Sequence, residues 1–154
     1  MNEVACNYAI SRFRPYRETG EFVNVGVVLM CSETGFFDYR FATGLSPRIS
    51  NFFPDLDINV FQAGLNGLLE ELARVTARER DEHLHPPVLR EGTPANLARF
   101  RELVRPREAL LFFGEVGTVM TADPRAKLEE FFQRCVQRQR DPQPPLCETV
   151  LRER

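Results

Sequence analysis

Glu21-Phe-Val-Asn-Val-Gly-Val-Val-Leu-Met30 is a β-branched apolar run broken by one polar residue, Asn24, and by one missing side chain, Gly26. Runs of this composition form strands, and this one is predicted to continue to Cys31. Successive side chains point to opposite faces of a sheet, so Val23, Val25, Val27, Leu29 and Cys31 share one apolar face. Phe22, Asn24, Gly26, Val28 and Met30 take the other. Asn24 and Gly26 are therefore expected together, over an open or narrowly packed middle of the sheet.

Working outward, Val4 to Phe13 reads as a preceding strand, and Arg14-Pro-Tyr-Arg-Glu-Thr-Gly20 as the loop that reverses the chain. Ser32-Glu-Thr-Gly35 makes a tight turn, with Gly35 supplying a positive φ, into a third strand over Phe36 to Ala42. The N-terminal third is thus an antiparallel β-meander. On its third strand Phe37, Tyr39 and Phe41 share one face, and Asp38 and Arg40 the other.

A short helical stretch follows Ser46 and Pro47. Asp57 then caps the clearest helix, whose apolar stripe is Ile58, Phe61, Leu65, Leu68, Leu72 and Val75. Gly64 and Gly67 inside it suggest close approach to another element. Glu79 to Pro87 reads as a charged loop or frayed helix end. Thr93 and Pro94 open another helix, with Leu97, Phe100, Leu103 and Val104 inward. Ala109–Phe113 and Val116–Thr121 read as a short hairpin turning at Gly114-Glu115. Asp123-Pro124 starts a C-terminal helix with Leu128, Phe131, Phe132, Cys135 and Val136 inward. Strands, helices, strands and helix in that order give an α+β fold, a meander packed by helices. Residues 1–140 are read as a single domain, and 141–154 as a Pro-rich flexible tail in which Leu146, Val150 and Leu151 could form one apolar turn.

The 154 residues carry a net charge of -2, which gives no general attraction to nucleic acid or anionic membrane. Of the 20 basic residues, Lys127 is the single lysine, and a charged helix face accounts for it. Chemistry that needs an ammonium group, such as Walker-A phosphate binding or Schiff-base catalysis, has no other candidate. Cys6, Cys31, Cys135 and Cys147 show no paired zinc or redox spacing. No secretory signal or membrane-spanning run is evident, so a reducing cytoplasmic setting is expected.

His83-Leu-His85, with Glu79, Asp81 and Glu82 nearby, has a metal-compatible spacing only if the segment is extended. A solvated charged loop explains it as well, and no metal or cofactor is assigned. Nucleophilic hydrolysis lacks a Gly-x-Ser-x-Gly turn, and both histidines sit in one short segment. Arg90, Arg99, Arg101, Arg105 and Arg107 form the densest basic region, diluted by Glu91, Glu102 and Glu108, so nucleic-acid binding is not expected. The remaining candidates are Arg12, Glu21, Asn24, Gly26, Asp38 and Arg40, gathered by the meander if the register allows. They could line a polar groove over Gly26 that takes a carboxylate, a phosphate or a backbone segment. Alternatively, Asn24 satisfies a buried backbone group, Gly26 admits an aromatic ring, and Glu21 pairs with an arginine.

Tyr8-Ala9-Ile10, Arg12, Pro15, Gly20-Glu21-Phe22-Val23-Asn24-Val25-Gly26-Val27-Val28-Leu29, Phe52-Phe53-Pro54-Asp55 and Val119-Met-Thr-Ala-Asp-Pro124 together resemble the bacterial domain of unknown function 3037 family. The resemblance spans about residues 5 to 137. It implies a bacterial cytoplasmic protein and, through gene neighbourhood, a partner kinase resembling the HipA type, but it brings no established activity. The expected function is a non-enzymatic binding or regulatory module acting through protein contact, and homo-oligomerisation is compatible with it. The alternative is a metal- or arginine-assisted enzyme or nucleic-acid processing factor that uses the polar face of the sheet.

Overall fold

Three consecutive strands, β1 (Val4–Phe13), β2 (Val23–Cys31) and β3 (Phe36–Phe41), pair antiparallel in chain order. The β2–β3 turn holds Gly35 at a φ of 76°, a conformation that a Cβ would strain. The computed structural model describes residues 2–42, 47–84, 95–105 and 109–137, with the backbone alone at 48, 80–84 and 95. Within these, two further strands, β4 (Leu111–Phe113) and β5 (Gly117–Thr121), complete a five-stranded sheet. The helices are α1 (Pro47–Phe52), α2 (Ile58–Leu84), α3 (Ala95–Leu103) and α4 (Pro124–Cys135). The fold is α+β, and none of the described helices is long and apolar enough to cross a membrane.

The strands expected to form a short hairpin come out differently. β4 pairs with Ser11–Phe13 and β5 with Val4–Tyr8, so the two lie end to end along the same edge of β1. At ten residues β1 is long enough for both. The Gly114 N–H donates to the Ile10 carbonyl at 2.9 Å, keeping the chain on that edge.

Helices pack on both faces of the sheet. Ala9, Val28, Met30 and Phe37 pack on Leu72, Phe100, Leu103 and Val104 of the α2–α3 layer. Phe13, Val23 and Val25 continue that face against Ile49, Phe53, Phe61 and Leu65. On the opposite face Cys6, Val27, Leu29 and Cys31 meet Leu128, Phe132 and Val136 of α4. Each large side chain so buried contributes roughly 1.5–3 kcal/mol of transfer free energy. Because helices lie on either side, β2 is apolar almost throughout rather than alternating.

A β-bulge corrects the expected faces of β2. Ser11 pairs with Gly26 but Arg12 pairs with Asn24, which leaves Val25 as an extra residue. Such an insertion reverses the alternation beyond it. Val23 and Val25 consequently pack with α1 and α2, whereas Val27, Leu29 and Cys31 pack with α4. Asn24 and Gly26 therefore stand on opposite faces. The β3 assignment holds: Phe37, Tyr39 and Phe41 join the α2–α3 layer, and Asp38 and Arg40 face α4.

α2 begins as its cap predicts, with the Asn59 N–H donating to Asp57 Oδ1 at 3.0 Å. Of the two readings of Glu79 to Pro87, a loop or a helix end, residues 79–84 take the second, and 85–87 lie outside the described residues. The helix runs to Leu84, and Glu79 is 5% exposed and accepts from Arg99 Nε and Nη2 at 3.2 and 2.8 Å. Glu79 is thus clamped to α3 rather than solvated. Neither glycine in α2 marks a tight contact: a Cβ on Gly64 would touch Leu111 at an ordinary 3.5 Å, and one on Gly67 would meet nothing within 4 Å.

Candidate functional site

The structure does not gather the six candidates at one place. Asp38 pairs across the sheet with Leu29, and its Oδ2 lies 3.2 Å from Arg125 Nη1 of α4. Arg40 forms an ion pair with Glu129 and stacks 4.5 Å over the Phe132 ring. Both residues thus fasten β3 to α4, and exposed pairs of this kind contribute about 0–1 kcal/mol each. Gly26 is filled: a Cβ there would fall within Cγ, Cδ2 and Cε2 of Phe41, the residue opposite it on β3. Among the described residues nothing opens over it.

Glu21 is exposed and precedes β2 by two positions, whereas Asp38 lies opposite Leu29 near the other end. Six strand residues separate Val23 from Leu29, about 20 Å at 3.3 Å per residue. The two carboxylates cannot share a metal ion. Among the described residues no group of three or more His, Cys, Asp or Glu could hold one. His83 has a helical backbone in α2, so the extended spacing assumed for His83 and His85 does not arise on that side, and His85 lies outside the described residues. Arg90, Arg107, Thr93, Pro94 and the tail residues Leu146, Val150 and Leu151 lie outside them too.

Arg12 and Asn24 remain together. They are paired across β1 and β2 on the α4 side of the sheet, where that helix ends. Asn24 Nδ2 donates to the Cys135 carbonyl at 3.4 Å, which helps hold the last turn of α4. Past this point no helix among the described residues covers the face. It carries Arg12, Arg14, Phe22, Leu110 and Phe112, because Phe112 pairs with Arg12 and the Arg14 N–H donates to the Leu110 carbonyl at 2.8 Å.

These side chains make a ladder. The Arg12 guanidinium stacks 4.6 Å from the Phe22 ring centre and Arg14 4.5 Å from that of Phe112, while the two rings meet edge to face at 6.1 Å. Phe22 is 37% exposed and Leu110 40%. Gly114 makes room for Arg12, since a Cβ there would lie 2.9 Å from the guanidinium carbon. The Nε atoms of both arginines are buried without a hydrogen-bond partner, and neither guanidinium forms an ion pair among the described residues. Burial lowers the pKa of Arg12, and the exposed carboxylate of Glu115 opposes that shift. With each Nε buried, an anion can meet these stacked guanidiniums only in plane through their two Nη groups. Arg14, Phe22, Leu110 and Phe112 escaped the sequence reading; the alternation of Arg12 and Arg14 on one strand face was the available signal.

Along the chain, residues 8–136 match the model of a family described as protein of unknown function (DUF3037). The chain belongs to this family. The match takes in every residue of the ladder and reaches the last turn of α4, so the surface is part of the DUF3037 domain rather than an appendage to it. Comparison with curated proteins and with solved structures finds no match.

Proposed function

We propose that this DUF3037 protein is a non-enzymatic binding module that acts by contact with another protein, through the open end of the α4-side face. The observation that carries this reading is the pair of stacked guanidiniums, Arg12 and Arg14, with no ion-paired carboxylate among the described residues, beside exposed Phe22. Stable contact surfaces combine apolar and aromatic anchors with arginine. Of the other charged candidates, Asp38 and Arg40 already serve an internal contact.

The nucleic-acid alternative draws on the same arginines and aromatics, which are the groups that hold single strands. A stacking platform needs free ring faces, however, and here a guanidinium occupies one face of each ring. The net charge of -2 adds no long-range attraction.

The resemblance names a neighbour-encoded HipA-like kinase as the first partner to test. Co-expressed with that kinase, the full chain should co-purify with it; Arg12→Gln/Arg14→Gln should abolish recovery, and Arg125→Gln should retain it. Equal recovery of all forms removes the surface from the contact.

A further inference from the structure

The ladder has a chemical order as well as a location. Its aromatic pair stands between two cations, with Arg12 on Phe22 and Arg14 on Phe112, and Leu110 adds exposed apolar surface beside Arg14. Each guanidinium is planar and stacked, which favours an in-plane, bidentate carboxylate over a point contact. The rings between them offer surface that gains from being covered. Glu115 is the nearby acid, exposed and acting on Arg12 from a distance without forming an ion pair.

Resting on the reading of this face as a protein-contact surface, we propose that its occupant is an acidic-apolar-acidic peptide segment of the partner. One carboxylate lies on Arg12 and one on Arg14, with the apolar side chain between them covering Phe22 and Phe112. Glu115 is then a mild competitor for Arg12, weakening attachment of the acidic segment.

The test titrates the full chain into a dye-labelled peptide with a Glu-Leu-Glu centre, read by fluorescence anisotropy at low salt. Binding should weaken about tenfold in Arg12→Gln and in Arg14→Gln, the size of one lost charge-assisted hydrogen bond. Phe22→Ala should also weaken binding while leaving its salt dependence unchanged. Glu115→Gln should tighten binding about twofold, a gain typical of removing one exposed charge. A tighter complex cannot arise from misfolding, which guards against loss of binding through loss of structure.

Equal binding of a Gln-Leu-Gln peptide, or of a peptide with Gly in place of Leu, overturns the proposal. So does tighter binding of a single-stranded oligonucleotide of the same charge. If the Arg12 and Arg14 substitutions abolish kinase recovery but the peptide does not bind, the surface stands and its proposed ligand is wrong. If they change neither, both the surface and the ligand are wrong.

Discussion

Replacing Gly26 with alanine tests whether this position is a structural gap for Phe41 or part of a ligand groove. The φ of Gly26 lies outside the positive range, so the backbone accepts alanine. By itself the change should stabilise a strand by about 0.5–1 kcal/mol, the usual penalty of glycine there. The new methyl would nevertheless overlap three ring carbons of Phe41, and that ring packs against two buried clusters at once. Overpacking of this kind costs about 1–3 kcal/mol. The net expectation is a destabilisation of about 1–2 kcal/mol, or a fall of roughly 2–8 °C in Tm for a chain of this length. Urea unfolding should show a lower midpoint at an unchanged slope. Phe41→Val removes the ring while keeping a good strand former, so in that background Gly26→Ala should become neutral or stabilising. A coupling of about 2 kcal/mol between the two sites follows. Additive effects, with the alanine equally harmful in both backgrounds, would refute the assignment of the gap to Phe41.

Gly67 offers the opposite case: exposed, inside α2 and with empty space at its Cβ, it should gain about 1 kcal/mol on substitution by alanine, measured by urea midpoint. Arg99→Ala should destabilise by about 3–5 kcal/mol, because it strands the buried Glu79 carboxylate, while joint replacement of both residues by leucine should cost much less. Arg125→Ala, at an exposed pair, should stay within about 0.5 kcal/mol in the same assay. The Cys6 thiol is pushed up to about 12 from 9.0, first by burial and then by Cys31, which shares a hydrogen bond with it across β1 and β2. The folded state keeps this proton while the unfolded state releases it above pH 9, so stability should fall between pH 9 and about 12. Chemical denaturation across that range should show Cys6→Ala losing less stability with pH than the parent, and parallel curves would contradict the assignment.

Local signals carried much of the fold. The stripe from Ile58 to Val75 placed Phe61, Leu65 and Leu72 in the core, as a period of 3.6 requires. Asp57 and Asp123 each accept a backbone N–H at the start of their helices. What escaped was set by distant partners. Glu79 looked solvated because it meets its arginine twenty positions later, at Arg99. β4 and β5 looked like a hairpin because sequence shows the turn residues Gly114-Glu115 but not the length of the β1 edge that receives both strands. Cys6 and Cys31 are remote in the chain and face each other only through the β1–β2 register.

The bulge at Val25 had the largest consequence for the site. Strict alternation put Asn24 and Gly26 on one face and suggested a groove containing both. One inserted residue sends Gly26 to Phe41 and leaves Asn24 beside Arg12, under the end of α4. A bulge has no reliable composition of its own here, since Val25 is as β-branched as its neighbours. Yet it lets a strand buried on both faces stay apolar along its length while one polar side chain emerges where α4 stops. Asn24 then caps the helix end, and the arginines on β1 extend past it onto Phe22 and Phe112. The same irregularity that fills the expected groove thus sets the boundary between the covered sheet and the open ladder.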